Sequence, residues 1–199
     1  MLAEENNMTL ENWDWLRLPV VSAGAEYLVM GNLMRRNILA YKAPQNNEGY
    51  DLICIHPDPR YIKKSHQKAQ LRIQVKSRYA TDCNKAFIIR EKSIEAFDYL
   101  IVVFLNIGKY FGKNIGDVGK KEVEYYTFPQ EFVKKHHLKQ GNWEKILLKP
   151  LLEEIYKYKN EKGFELIARK LGIIIPIKNR KNKKARLTSR LSRLGQPRH

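Results

Sequence analysis

The chain has 199 residues, 43% of them apolar, and carries 37 Lys+Arg against 21 Asp+Glu for a formal charge of +16. That apolar share is ample for a real core and excludes a disordered chain, while the charge favours a polyanionic partner, nucleic acid or an anionic membrane surface. The membrane is the weaker option, because the best apolar run, residues 99–105, is far shorter than the roughly 20 residues a span needs.

The N-terminus, Ala3-Glu4-Glu5-Asn6-Asn7, is acidic and offers no apolar stretch for a signal peptide. Cys54 and Cys83 form neither a CxxC nor a disulfide framework, which fits a reducing cytoplasm. The charge is uneven: nine Lys/Arg and no acid lie between Leu171 and His199, leaving a net +7 on the first 170 residues.

Residues 1–20 read as a polar lead-in whose Trp13 and Trp15 are expected to pack onto the domain. Ser22 is a candidate N-cap for a helix over 23–37. A strand over 38–43 follows, closed by Pro44, and then a turn cluster over 45–49. Gly49-Tyr50-Asp51-Leu52-Ile53-Cys54-Ile55 reads as the next strand, and a polar connection over 56–69 leads to Leu71-Arg72-Ile73-Gln74-Val75-Lys76. Residues 77–84 are expected as loop, 86–89 as a short strand, and 91–97 as a short helix. The unbroken apolar run 99–105 has the character of a strand covered on both faces. A glycine-spotted loop over 106–119 and a strand over 122–128 come next. Pro129, at a helix N1 position, is expected to open a helical C-terminal part, with helices over 149–158 and 161–171 stopped by Gly172. Residues 178–199 show no apolar period that could form a core.

In the 71–76 strand, Leu71, Ile73 and Val75 alternate with Arg72, Gln74 and Lys76. A period of two sends the apolar set to one face and projects Gln74 and Lys76 together from the other. If that strand pairs with the preceding one, Asp51 converges on them. Glu26 shares a helix stripe with Val29, Met30 and Leu33, and an acid on an apolar stripe is costly without a partner such as a metal ion or a lysine.

A helix glutamate in Gly24-Ala25-Glu26, an aspartate in Gly49-Tyr50-Asp51 and then Gln74-Val75-Lys76 resemble the PD-(D/E)XK nuclease superfamily. The likeness extends over about residues 20–130. Its motifs are short, and their specificity lies in order and strand context. Tyr50 replaces the structural proline, and Gln74 replaces the acid of (D/E)XK. The amide oxygen still suits Mg2+ but brings no charge, so metal affinity is expected to fall.

The resemblance implies an α/β fold with a restriction-endonuclease-like core: a small mixed β-sheet flanked by helices, with a helical and basic C-terminal extension. The expected organisation is a lead-in over 1–20, a nuclease-like core over 21–148, a helical segment over 149–176 and a basic tail over 177–199. It implies a metal-dependent DNA endonuclease using Mg2+ or Mn2+, with Asp51, Gln74 and Glu26 at the metal and Lys76 as catalytic lysine. Double-stranded DNA is the implied partner, RNA staying open, for a homodimer or higher homo-oligomer in the cytoplasm, associated with DNA. Arg72, Arg78, Lys181, Lys183, Lys184 and Arg186 are expected to meet phosphates. The alternatives are a catalytically inactive nucleic-acid-binding module of the same fold and a structural component of a nucleoprotein particle working through its tail. Taken singly, Asp51 can serve only to close its turn, and Arg72 and Lys76 can be a solvated strand face. His136 and His137 are expected at the surface, Cys54 in the core, and Glu91 and Asp98 as helix-start and turn acids, Glu91 being also a substitute for the missing carboxylate.

Overall fold

The alternating residues 71–76 form part of the central strand of a five-stranded mixed sheet in the computed structural model. The structure describes residues 18–44, 47–78, 86–106, 122–140 and 143–175. The lead-in tryptophans Trp13 and Trp15, and the tail cations Lys181, Lys183, Lys184 and Arg186, lie outside the described residues.

Helix α1 (Leu18–Met34) leads into strands β1 (Leu39–Lys42), β2 (Leu52–Ile55) and β3 (Gln70–Arg78). Strand β4 (Ala86–Ile88) and helix α2 (Glu91–Ile94) precede β5 (Tyr99–Phe104), β6 (Glu124–Pro129) and α3 (Gln130–His136). Strands β7 (His137–Gln140) and β8 (Trp143–Leu147) and helices α4 (Leu152–Ile155) and α5 (Glu161–Leu171) follow. The main sheet has the order β1-β2-β3-β5-β6. Its β3–β5 pair is parallel, with Gln74 opposite Leu100 and Lys76 opposite Val102, and its other pairs are antiparallel. A second, antiparallel sheet has the order β4-β8-β7.

All six residues of β5 are buried, as its unbroken apolar sequence requires of a strand covered twice. Tyr99, Ile101 and Val103 join Leu71, Ile73, Val75, Leu52 and Cys54 in a core closed by Ala25, Val29 and Leu33 of α1 and by Phe164, Ile167 and Leu171 of α5. Leu100, Val102 and Phe104 enter a second core with Phe87 of β4, Phe128 of β6, Phe132 of α3 and Ile146 of β8. The layers are therefore α1 with α5, the main sheet, and the accessory sheet with α2 and α3. Tyr125 and Phe128 of β6 are buried in the core. Cys54 is a buried filler whose thiol burial pushes up to about 12. Among the described residues no helix is long and apolar enough to cross a membrane.

Four expectations need correction. Helix α1 starts at Leu18, so Ser22 lies inside it and caps nothing. The chain after Pro129 is not continuously helical: α3 has only 7 residues and hands over to the β7–β8 hairpin. Pro129 occupies the N-cap position of α3. The hairpin does leave a sequence signal. Gly141-Asn142 separates Gln140 from Trp143, which are paired, and such a dipeptide between strands marks a two-residue turn. His136 and His137 are half-buried rather than on the surface, with His136 Nε2 3.3 Å from Glu154 and His137 Nε2 2.9 Å from the Ile89 carbonyl oxygen.

Asp98 ties three elements together. Its carboxylate takes the Lys68 ammonium at 2.5 Å and the Arg72 backbone N–H at 2.7 Å, and its carbonyl accepts the Gln130 N–H at 3.0 Å. Burial pushes this carboxyl up, but the hydrogen bonds and charges of Lys68 and Arg72 outweigh it and hold the group below the ordinary carboxylate range. A depressed folded pKa gives stability that is present above the unfolded value of about 3.9 and is lost as pH falls through the folded pKa. Asp98→Asn should therefore lower the urea midpoint at pH 7 and flatten its fall below about pH 4. Equal acid slopes for variant and parent would refute this role.

Gly163 allows α5 to press on the sheet. A Cβ there would lie 2.3 Å from the Tyr158 carbonyl oxygen and 2.8 Å from Thr127 Oγ1. Despite alanine's better helix propensity, Gly163→Ala should cost about 1–3 kcal/mol by overpacking, read as a lower Tm.

Candidate active site

The polar side of β3 decides where chemistry can occur. Leu71, Ile73 and Val75 are committed to the α1–α5 core, so Arg72, Gln74, Lys76 and Arg78 project toward the accessory sheet. In β2, Leu52 and Cys54 enter that same core, which leaves Asp51 on the face of Gln74 and Lys76. The Asp51 N–H donates to the Ile73 carbonyl at 2.8 Å. Its Oδ2 accepts the Val75 N–H at 2.7 Å and the Gln74 amide Nε2–H at 2.6 Å. The turn ahead of Asp51 is tightly seated: Gly49 has φ +94°, and a Cβ there would fall 2.2 Å from the Ala96 Cβ.

These side chains line a cleft of about 410 Å³. Asp51, Gln74 and Lys76 form one wall, and Ile88, Ile89 and Arg90 form the other. Among the described residues, Asp51 Oδ1, Gln74 Oε1 and Lys76 Nζ have no hydrogen-bond or ion-pair partner. The wall thus offers oxygen acceptors beside an ammonium, the groups needed to hold a hard cation and a phosphate.

The donor set suits a hard cation that keeps most of its waters, such as Mg2+. Asp51 and Gln74 supply one carboxylate and one amide oxygen, the exposed carboxylate of Glu48, 3.9 Å from Lys92, also lines the cleft, and no group of three or more His, Cys, Asp or Glu among the described residues could hold a metal. A tight, fully protein-ligated centre does not fit. Because an ionised carboxylate only accepts, Gln74 presents its NH2 to Asp51. Joint coordination requires the amide to turn over and exchange that hydrogen bond for an ion contact.

The other expected site residues are placed differently. Glu26 does not line the cleft. The buried stripe of α1 is Ala25, Val29 and Leu33, so Glu26 falls at its margin and ion-pairs with Lys42 of β1. Arg72 is drawn to Asp98, with Nε 3.4 Å from Oδ2. Arg78 donates to the Ala86 carbonyl and lies over the Phe87 ring at 5.0 Å, bracing β4 against β3. Glu91 pairs with Lys139 at 2.8 Å, outside the cleft lining, and Lys139 holds its carboxyl below the usual range. The sequence reading missed Arg90 and Lys92, which line the opposite wall. The sequence Phe87-Ile88-Ile89-Arg90, three apolar residues before an arginine, carries no signal that singles Arg90 out.

No protein-family model matches the chain, and no curated protein does. Among solved structures, a Holliday junction resolvase from the archaeal hyperthermophile Archaeoglobus fulgidus is similar at 13% identity and TM-score 0.40, over 78% of this chain and 99% of that one. A bacterial homing endonuclease is similar at 17% identity and TM-score 0.47, over 78% of this chain and 94% of that one. At such identities and TM-scores these similarities transfer no function.

Asp51 also carries structural weight. Asp51→Ala removes the acceptor of the Val75 N–H and the Gln74 amide and should cost about 1–3 kcal/mol. Asp51→Asn keeps an oxygen for the N–H and should lose less. Denaturant midpoints of the two variants check this ordering, and indistinguishable midpoints would refute it.

Proposed function

We propose that this chain is a metal-dependent endonuclease hydrolysing phosphodiester bonds in DNA, with Asp51, Gln74 and Lys76 as its working residues. The observation that carries the reading is their convergence on one face of the sheet, in one cleft, with oxygens and an ammonium that have no partner among the described residues. Asp51 Oδ1 and Gln74 Oε1 would hold the ion, and the divalent ion supplies Lewis-acid polarisation and a more acidic water when bound. Lys76 holds a non-bridging phosphate oxygen and opposes the negative charge that grows there. The Val75 N–H orients Asp51 beforehand, a bond that persists whichever way the Gln74 amide faces. One such site cuts one strand, so a double-strand break takes two copies, and a homodimer follows from the reading. Glu26, committed to Lys42, is a residue of α1–β1 attachment in this account.

The second reading is a nucleic-acid-binding module without catalysis. One observation favours it: the Gln74 amide and the Val75 N–H already occupy one oxygen of the Asp51 carboxylate. Plasmid nicking separates the two. Under the nuclease reading, Mg2+ or Mn2+ supports nicking, and Lys76→Ala slows it by about 10²–10³-fold while duplex binding persists. Salt-sensitive binding with no nicking in either metal would leave the module.

Gln74→Glu tests the metal contact without an activity readout. It replaces an amide that must turn over with a carboxylate that need not, and it places two carboxylates in contact. The variant should be less stable than the parent in chelator and gain more Tm on adding Mg2+. An Mg2+ response no larger than the parent's would count against Gln74 as a ligand.

A further inference from the structure

The wall facing Asp51 and Lys76 belongs to the accessory sheet, and the metal chemistry gives it no task. Phe87 and Ile89 are buried in the second core. Their neighbours Ile88 and Arg90 alternate with them and line the cleft. Ile88 is 57% exposed, an apolar side chain left in water at the end of a short strand. Arg90 has no ion pair or side-chain hydrogen bond among the described residues. Many of the chain's other described cations are engaged, among them Arg36, Lys42, Lys68, Arg72, Lys134 and Lys139. Lys92, beside Arg90, meets only Glu48, at 3.9 Å and well exposed on both sides.

We infer that Ile88 and Arg90 form a sugar–phosphate grip that holds the nucleic-acid backbone next to the phosphate presented to Lys76. A guanidinium matches two phosphate oxygens at once, and Ile88 covers the apolar face of the adjoining sugar. Both are contacts to the backbone, so the grip is neutral to base sequence. The wall is held firmly enough to position a strand. Arg78 ties Ala86 to β3, the Ile89 N–H donates to the Glu144 carbonyl at 3.1 Å, and the Ile89 carbonyl meets His137 Nε2 at 2.9 Å. Ile88 and Arg90 are positioning residues, and the assignment rests on the nuclease reading of the same cleft.

Binding of a short fluorescent DNA duplex, followed by anisotropy across a salt series in metal-free buffer, tests the grip. Arg90→Ala should weaken binding about tenfold at low salt and reduce the slope of log K against log salt by about 0.9, one phosphate's worth. Arg90→Lys should recover the slope and only part of the affinity. Since the Arg90 side chain has no hydrogen-bond or ion-pair partner among the described residues, the Tm of Arg90→Ala should match the parent's. Lys63→Ala removes an equal charge outside the cleft and controls for general attraction. A loss of affinity and slope with Lys63→Ala equal to that with Arg90→Ala overturns the inference, as does unchanged binding by Arg90→Ala. If the parent never nicks DNA yet the Arg90 effect holds, the grip stands and the nuclease reading falls. If the parent nicks and Arg90→Ala binds and nicks like it, the grip falls alone.

Discussion

A carboxylate partly withdrawn from water must find donors, and Asp51 finds both of its donors on β3. Its Oδ2 collects the Val75 N–H and the Gln74 amide, while its own N–H returns to Ile73. This closed exchange fixes the start of β2 against the middle of β3. It determines which way the Gln74 amide faces and where Lys76 stands relative to the acid. Because Oδ2 is fully occupied, Oδ1 is the oxygen left to meet a ligand. One oxygen of this carboxylate is thus committed to the fold, while the other has no partner among the described residues.

The rest of the fold protects that exchange. Strand β3 lies between β2 and β5, so its polar face cannot shift register without exposing Leu71, Ile73 and Val75. Strand β5 gives each face a core of its own, one closed by α1 and α5 and the other by the accessory sheet. Helix α5 packs into the same core as α1, so the described part of the C-terminal segment belongs to the body that holds the cleft. Asp98 fixes the starts of β3, β5 and α3 in one cluster of bonds. Buried networks of this kind specify one arrangement because leaving any member unpaired is costly.

Local periodicity made much of this legible. The two-residue repeat of β3 identified the face of Gln74 and Lys76, and the solid apolar run of β5 announced burial on both sides. Glu26 was harder, because a helix stripe about 100° wide has margins, and one residue's rotation moved the acid from the core to an ion pair with Lys42. Arg72 and Arg78 share the outward face of β3, yet pattern alone cannot show that Asp98 and the Ala86 carbonyl claim them. The β7–β8 hairpin escaped because His137-Leu138-Lys139-Gln140 has a single apolar residue and forms a largely exposed edge strand. Tertiary context overrides such weak strand propensity. Arg90 became meaningful only when β4 was seen opposite Lys76.

Parallel neighbours such as β3 and β5 cannot be joined by a tight turn and require a long crossover. Here the chain between them carries β4, Ile88 and Arg90. The wall opposite the carboxylate is therefore built from a connector that the sheet's topology demands in any case. Insertions or substitutions in such a connector can widen, narrow or recharge the cleft while the strands beneath keep their register. The shape of the cleft and the integrity of the two cores are thus separately adjustable in one small body.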